Sequence, residues 1–370
     1  MAAKKKTEVV EKAVKKPSRK PSSPQVSLAI PSTIISRTNA ANLEHVTHIA
    51  YQVAKAAATF NVSEIVIIDV PNEKEESYDS SVVLKGDKGG TKLKFDDDEE
   101  TKKMDSKVAS NENVNNEPQL KDMRTFDNGV LFATLLQFFV TPPYLVQTVF
   151  AKNQYKNKFG VAKKLPKISM LPFMSNNEVY RSFKEGLTIA KRTPQTLNKR
   201  KKVKGSKLSV TKYVNIGEKE PLELVGQDVP VNVRVTVDIA NKKVVSPLEA
   251  YGFQGCKGTF GYQVRHARLL SAVFTGSGFE DGYTCSLHVL CQDYFGNSVV
   301  STELKPPSNS KDRVLLVFSN DRELEALKKA DSQLSSIDSV SQLFDGRINV
   351  PTAARVEDAV FIALTRCLGN

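Results

Sequence analysis

The sequence has few of the residues that build disulfide and metal frameworks. Its 370 residues include four cysteines, with no Cys-x-x-Cys pair, and four histidines. So few cysteines fit neither a disulfide scaffold nor a zinc ribbon, and a reducing intracellular compartment is expected. His45 and His48 lie one helical turn apart, but no acidic or thiolate residue joins them at ligand spacing. The sequence therefore predicts no metal site.

Long apolar runs are also missing. No stretch reaches the roughly 18 apolar residues that a membrane-spanning helix needs, so no membrane span is predicted. Residues 1–24 contain eight lysines and arginines against two acidic residues. They lack the apolar centre of a signal peptide, and they predict a disordered basic arm. Such an arm is a nuclear address or a nucleic-acid contact in one interpretation and a solvated tail in the other.

Positive charge is in excess. The formal net charge is +12, which favours a polyanionic partner such as RNA over an acidic small substrate. Residues 181–212 hold 11 lysines and arginines against one acidic residue. A loop this basic repels itself unless phosphates supply the counter-charge, so RNA contact is preferred over a solvated loop tip. The candidate RNA-binding residues of this loop are Lys199, Arg200, Lys201, Lys202, Lys204 and Lys207.

Strands and helices alternate in the first part of the chain. Val26–Pro31 is a predicted strand, helical spacing of apolar residues predicts a helix over about 42–60, and the apolar run Ile65–Ile68 predicts a second strand. A strand without a polar face is typical of a parallel sheet that is covered on both sides. This pattern predicts an α/β fold with a parallel sheet.

The α/β pattern continues downstream and ends in a closing helix. This helix is apolar all round from Ala359 to Leu364, which predicts that it is buried. The predicted elements are a helix over Phe126–Val140, a helix from 261 to about Phe274, a strand at Tyr283–Leu290, the buried strand Val314–Phe318 and the closing helix from about Thr352 to Cys367.

Two segments interrupt this pattern. Residues 71–117 are rich in charge, include the run Asp96–Glu100 and cannot bury enough apolar surface to fold, so a disordered acidic insertion is predicted. Residues 176–260 include Val229–Ile239, whose strict alternation is typical of an antiparallel strand with one face in water. With a turn at 241–243, this second segment is predicted to be a small β-barrel inserted in the α/β domain.

Two turns at strand ends are the predicted place of a small-molecule pocket. Phe318–Asp321 follows a predicted buried strand, and Leu343–Thr352 leads into the closing helix. In open α/β sheets, ligands bind at the carboxyl ends of the strands, where backbone N–H groups and helix dipoles converge. A pocket in this protein is therefore expected between these turns.

The order of five segments resembles a known family. The segments are Val26–Pro31, Glu64–Asp69, Tyr180–Gly186, Gly261–Arg265 and Asp281–Tyr283. Together with the inserted β domain, their order resembles that of the SPOUT-class (α/β-knot) RNA methyltransferases that carry an OB-like barrel, in a eukaryotic branch with diverged cofactor loops. The resemblance implies a trefoil-knotted parallel sheet, S-adenosylmethionine bound in a bent form, and a dimer with a second copy or with a related chain.

Composition and strand pattern, together with this resemblance, give the predicted domain limits. They are residues 1–24 for the basic arm, 25–70, 118–175 and 261–370 for the SPOUT methyltransferase-like domain, 71–117 for the acidic insertion and 176–260 for the OB-like barrel.

Site residues are implied by the resemblance as well. Ser319 and Asn320 stand where active members have a glycine pair, and the loop 349–355 is shorter than theirs and has no glycine. A Cβ at such positions crowds the approach of the backbone to a cofactor. No residue is a convincing general base, since Asp293 and Asp321 serve equally well as turn and helix-cap residues. The implied cofactor positions are Phe318, Ser319, Asn320, Asn349, Val350 and Pro351, and those near RNA phosphate are Arg265 and Arg355.

Three functional hypotheses stay open at this point. The first is a methyltransferase-like RNA-binding protein that acts on ribosomal precursor RNA in ribosome biogenesis, with S-adenosylmethionine-dependent catalysis weakened or lost. The second is an active S-adenosylmethionine-dependent rRNA methyltransferase. The third is a protein-interaction scaffold that uses its charge for solubility. The first two imply a location in the nucleus and nucleolus.

Overall fold

The computed structural model of the chain describes residues 24–71, 127–171, 174, 182–190, 209–253, 255–256, 260–292, 309 and 311–368. Most of the predicted basic arm and acidic insertion, and the whole of segment 199–207, lie outside these residues. Within the described ranges, no helix is both long and apolar enough to cross a membrane.

Parallel and antiparallel strands are separated along the chain. The elements, in chain order, are β1 (Gln25–Pro31), α1 (Leu43–Thr59), β2 (Glu64–Ile68), α2 (Asn128–Phe139), α3 (Val146–Val149), β3 (Phe183–Thr188), β4 (Val210–Thr211), β5 (Tyr213–Asn215), β6 (Leu222–Glu223), β7 (Val229–Pro230), β8 (Arg234–Asp238), β9 (Lys243–Val245), α4 (Pro247–Tyr251), β10 (Gln263–Ala267), α5 (Leu270–Thr275), β11 (Cys285–Leu290), β12 (Arg313–Ser319), α6 (Asp321–Ala330), β13 (Gly346–Asn349) and α7 (Val356–Leu368).

A six-stranded parallel sheet forms the α/β part, with strand order β10-β2-β1-β12-β11-β13. β1 lies at its centre, where Leu28 is in register with Ile65 of β2 and with Leu316 of β12. The first βαβ unit is as predicted, and α1 begins at an Asn42 side chain that accepts a hydrogen bond from the His45 N–H at 2.8 Å. The predicted α/β fold with a parallel sheet is confirmed.

Both faces of this sheet are covered. Alternate side chains of β1, such as Leu28 and Ile30, pack with α1, α2 and α7 on one face, whereas Ala29 packs with α5 and α6 on the other. Two apolar faces explain why β1, β2 and β12 have apolar side chains on both sides of the strand.

An antiparallel sheet is inserted between α3 and β10. Five strands pair in the order β6-β5-β3-β8-β9, and β4 pairs with β7. Val214, Ile216, Leu224 and Val237 form its small core. The Tyr144 hydroxyl donates a hydrogen bond to the Glu185 carbonyl at 2.9 Å, which joins this half-barrel to the α/β part. The predicted inserted antiparallel sheet is therefore present.

The continuous strand predicted over Val229–Ile239 is wrong. The structure divides it into β7 and β8, because Asn232 has a φ of 63° and leaves the extended conformation. At this interruption the Asn232 N–H is still hydrogen-bonded, because it donates to the Thr188 carbonyl at 2.9 Å. The Thr188 hydroxyl accepts from the Val233 N–H at 2.8 Å.

The helix predicted from residue 261 to Phe274 is also wrong in its first half. Residues 263–267 form β10, an edge strand whose Val264 is in register with Ile65 of β2. The helix α5 begins only at Leu270. Pairing with β2 is a long-range interaction that the local sequence does not announce.

The closing helix differs from its prediction at its start and on its surface. It begins at Val356 instead of Thr352, because Ala353 has a φ of 64° in the preceding turn. The apolar stretch is not buried on every side, since the Phe361 side chain is 49% exposed and contacts the Phe60 ring at a centroid distance of 5.4 Å. The buried face of α7 consists of Glu357, Ala359, Val360, Ala363 and Leu364.

Candidate functional site

A cavity of about 180 Å³ opens at the carboxyl ends of three neighbouring parallel strands. This edge of an open α/β sheet is where ligands bind in such folds. The wall is formed by the turn after β1 (Thr33, Ile34, Asn39), the ends of β11 (Cys291, Gln292) and β12 (Asn320), the first turn of α6 (Glu323) and residues 353–357.

Asn320 and Glu323 close one side of the cavity through a capping box. The Asn320 side chain accepts from the Glu323 N–H at 2.8 Å, and the Glu323 carboxylate accepts from the Asn320 N–H at 3.0 Å. The Glu323 carboxylate also accepts from the Thr33 hydroxyl. The cap residue is thus Asn320 and not Asp321, whose carboxylate instead accepts from the Gln292 side chain at 3.1 Å.

The loop before α7 forms the opposite side. The Ala353 N–H donates to the Gln292 carbonyl at 2.9 Å, and the φ of 64° at Ala353 is a left-handed conformation that glycine adopts more readily than alanine. Arg355 holds the loop from both ends: it lies 2.6 Å from the Glu357 carboxylate and donates to the Asn39 carbonyl at 2.7 Å. The loop therefore has a glycine-like backbone turn at a position without glycine.

A buried histidine supports the end of β12. His288 on β11 is 1% exposed, and its Nε2 lies 3.0 Å from the Ser319 hydroxyl oxygen. Burial, followed by repulsion from Arg347, lowers the pKa of His288 to about 4. The ring stacks on Phe344 with a centroid distance of 5.2 Å. A neutral His288 therefore fixes Ser319 directly behind the cavity wall.

The cysteine in the cavity wall is not a nucleophile. Burial raises the pKa of the Cys291 thiol to about 12, with nearby Glu323 and Glu357 adding to the effect. A thiol reacts as its thiolate, so Cys291 contributes surface to the cavity and no covalent chemistry at neutral pH.

Residues 25–367 of the chain match a protein family that is described as "Putative RNA methyltransferase". The chain belongs to this family. Within the putative RNA methyltransferase family, an S-adenosylmethionine cofactor and an RNA substrate are the general expectation.

Related proteins extend over nearly the whole chain. Two Saccharomyces cerevisiae proteins, each described as a putative methyltransferase, are 34% and 31% identical to it over 343 and 363 residues. Those alignments cover 92% of this chain and 92% and 86% of the yeast chains. The 28S rRNA (uridine-N(3))-methyltransferases of mouse and human are 26% identical, over 92% of this chain and 74% and 76% of theirs.

Of the six predicted cofactor positions of this family member, one lines the cavity. Asn320 lines it, whereas Phe318 and Ser319 are buried in β12 behind the wall. Asn349 ends β13 and accepts a hydrogen bond from Arg366 through its carbonyl, and Val350 and Pro351 follow it in the loop. Pattern reading missed Thr33, Asn39, Glu323 and Glu357. The sequence reveals neither that β1 lies beside β12 nor that the first turns of α6 and α7 meet at one cavity.

The two predicted arginines have different surroundings. Arg355 lies on the rim of the cavity and is partly exposed. Arg265 lies on β10, where its Nε donates to Glu64 at 2.9 Å and its two terminal nitrogens donate to the Ala272 and Val273 carbonyls at 2.8 and 2.9 Å. The structure gives Arg265 a structural role, and the RNA contacts proposed below do not include it.

Proposed function

We propose that this protein is an S-adenosylmethionine-dependent RNA methyltransferase that modifies ribosomal RNA during ribosome biogenesis, in the nucleus and nucleolus. The observation that carries the proposal is the cavity at the carboxyl ends of β1, β11 and β12, in a chain that matches an RNA methyltransferase family over residues 25–367. Uridine N3 of large-subunit rRNA is the proposed target, by analogy with the mouse and human relatives.

The chemistry of the cavity wall fits one end of the cofactor. Glu323 and Glu357 place two carboxylates at the wall and Arg355 places a guanidinium there, which suits the methionine end of S-adenosylmethionine with its sulfonium, ammonium and carboxylate groups. The cavity of about 180 Å³ is smaller than the roughly 300–1,000 Å³ of most ligand pockets, so it takes part of the cofactor and not all of it. When bound, the cofactor supplies an electrophilic methyl group on sulfur.

The structure accommodates the non-glycine residues on which the hypothesis of lost catalysis rests. The Asn320 side chain is held in the α6 cap by the Glu323 N–H at 2.8 Å. Ala353 takes the left-handed conformation that a glycine would take. These features support the active enzyme over the hypothesis of weakened or lost catalysis.

Filling the cavity is expected to reduce methyl transfer strongly. Ala354 lines the cavity and is only partly buried, so Ala354→Phe adds a ring to the cavity without disturbing the core. We expect transfer of labelled methyl from S-adenosylmethionine to large-subunit rRNA to fall at least about tenfold, because the ring occupies cofactor volume. Mass spectrometry of the nucleosides identifies 3-methyluridine as the product.

Ala330→Phe is the matched control for this test. Ala330 is exposed at the far end of α6 and does not line the cavity. The Ala330→Phe variant should retain full methyl transfer. Equal activity of the two variants would contradict the proposed site. RNA binding by the unmodified protein, without binding of S-adenosylmethionine in calorimetry, would instead support the non-catalytic hypothesis.

RNA contact is proposed for the basic segment that includes Lys199–Lys207. Replacing Lys199, Arg200, Lys201 and Lys202 by serine should weaken RNA binding across sequences. The salt slope should fall by about one for each phosphate that the variant no longer neutralises. The melting temperature should change little, because exposed charges contribute little to stability.

Four exposed lysines elsewhere provide the charge-matched control. Changing Lys55, Lys219, Lys311 and Lys329 to serine removes the same charge from scattered positions. An equal decrease of the salt slope in both variants would show that only net charge matters, and it would remove the RNA role from Lys199–Lys207.

Further elements of the proposal come from the resemblance to the SPOUT class. We include in it the trefoil knot, the OB-like character of the inserted half-barrel, the domain limits given above and a dimer with a second copy or a related chain. In this dimer we propose that the partner covers the half-exposed ring of Phe361 on α7.

A further inference from the structure

Three ligand-type side chains meet beside the cavity, at the carboxyl ends of β2 and β10. They are Asp69, which follows β2, His266 of β10, and Asp127, which precedes α2. One ligand atom from each lies within 4.8 Å of the other two. They come from three separate segments of the chain, so no sequence spacing joins them. Neither the proposed methyl transfer nor the cavity uses them.

The geometry between His266 and Asp69 is not that of a simple hydrogen bond. The His266 Nε2 lies 2.8 Å from an Asp69 carboxylate oxygen. This nitrogen is nevertheless buried from solvent and makes no hydrogen bond of acceptable direction with any residue that the structure describes. Short separation without alignment is what two ligands of one cation show, because both lone pairs point at a third position instead of at each other.

The third residue, Asp127, uses one carboxylate oxygen in a hydrogen bond to another described residue. One Asp127 oxygen accepts from the Val130 N–H at 3.1 Å and caps α2. The positive end of the α2 dipole opposes a cation at this place, and the charges of two carboxylates offset that cost.

The backbone at Gly129 comes very close to two of these side chains. A Cβ added at Gly129, in the first turn of α2, would lie 2.2 Å from an Asp69 oxygen and 2.5 Å from His266 Nε2. Glycine therefore lets the helix start against the two side chains. The three side chains are therefore tightly packed on the Gly129 side, whereas Asp127 is exposed to solvent.

From this geometry we infer that Asp69, Asp127 and His266 form a binding site for one divalent transition-metal cation. An imidazole nitrogen and two carboxylate oxygens are a ligand set that suits Mn²⁺ or Zn²⁺. Ligand atoms about 2.1 Å from a tetrahedral cation lie about 3.4 Å apart, and the three atoms here lie within 4.8 Å of one another, so the widest pair has to close by at most about 1.4 Å. The remaining coordination positions would hold water.

The site adjoins the cavity through a short path. The Val70 N–H lies 3.4 Å from the Ser32 hydroxyl, and Ser32 opens the turn whose Thr33 and Ile34 line the cavity. Asp69 and Asp127 also flank segment 70–126. A cation bound between them links two residues that are 58 positions apart in the sequence to His266 of β10.

Binding of Mn²⁺ to the full, chelator-treated chain tests the site without any methyl-transfer assay. Electron paramagnetic resonance of free Mn²⁺ should give one saturable site per chain, and calorimetry with Mn²⁺ should agree. Mn²⁺ should also raise the melting temperature, since a ligand bound only by the folded state stabilises it.

Three variants remove one ligand each. Asp127→Asn is the sharpest, because asparagine caps a helix as well as aspartate does and the fold of α2 is kept. Asp69→Asn and His266→Gln complete the set. We expect Mn²⁺ affinity to fall at least tenfold in each, since even the loss of an outer-shell partner costs 10–100-fold. The melting temperature of the metal-free Asp127→Asn protein should stay close to that of the unmodified chain.

Two controls separate this site from other metal-binding groups. His48→Gln removes an exposed histidine on α1 and should leave Mn²⁺ binding unchanged. The acidic run is neutralised by Asp96→Asn, Asp97→Asn, Asp98→Asn, Glu99→Gln and Glu100→Gln, and the saturable site should survive this change. Absence of a saturable Mn²⁺ site, or affinity that is unchanged in all three ligand variants, would overturn the inference.

Discussion

Replacing Arg265 by alanine is expected to destabilise the fold by about 3–5 kcal/mol, the usual cost of removing one partner from a buried ion pair. Glu64 is 1% exposed, and Arg265 Nε lies 2.9 Å from its carboxylate. Without the guanidinium, Glu64 keeps only the Tyr283 hydroxyl at 2.8 Å among its observed side-chain partners. Burial of an unpaired carboxylate is costly, so urea denaturation should show a large decrease in the free energy of unfolding.

Two further variants separate the cost of one lost hydrogen bond from the cost of the unpaired charge. Tyr283→Phe removes one hydrogen bond to Glu64 and should cost about 1–3 kcal/mol, because the bond is to a charged group. The double variant Arg265→Met, Glu64→Gln removes both charges and should recover much of the stability that Arg265→Ala removes. A normal melting temperature combined with weakened RNA binding in Arg265→Ala would instead restore the RNA contact that the resemblance implied.

Stability is expected to fall by about 3 kcal/mol between pH 6.5 and pH 4 because of His288 alone. The pKa of His288 is about 4 in the folded state, against about 6.5 for an unperturbed histidine. In this interval the unfolded chain binds a proton that the folded chain does not. The contribution of His288 is thus fully present above pH 6.5 and is lost as the pH falls towards 4.

Comparison with a variant isolates this effect from the titration of carboxylates. His288→Gln does not titrate and can still donate a hydrogen bond to the Ser319 hydroxyl. The difference in unfolding free energy between the two proteins should therefore shrink as the pH falls from 7 to 4. His48→Gln, at an exposed histidine, provides the reference. A His288→Gln difference that is constant with pH would show that His288 titrates normally.

The local sequence pattern was sufficient to predict those elements whose own residues show how they are buried or capped. The runs Ile65–Ile68 and Val314–Phe318 became β2 and β12 because both faces of the sheet are covered, which requires continuous apolar sequence. Asn42 marked the start of α1 because a side-chain acceptor is needed there. By contrast, Gln263–Ala267 has no strand signature, and only its pairing with β2 makes it β10.

The candidate sites were less predictable for the same reason. Asn320 was found because it follows a recognisable strand, whereas Thr33 and Glu357 join it only through the order of strands in the sheet. The histidine pair considered from spacing, His45 and His48, forms no site among the described residues. His266 meets Asp69 and Asp127 through tertiary structure alone.

The central place of β1 has a consequence for the order of events during synthesis. Among the described strands, β1 is the first to be synthesised, and Leu316 of β12, which pairs with Leu28 of β1, follows it by 288 residues. Until translation has passed Ser319, one long edge of an apolar strand has no partner within the nascent chain. Such an edge is a template for association with other chains. Native pairing here joins residues 288 positions apart, and contacts of such long sequence separation form slowly.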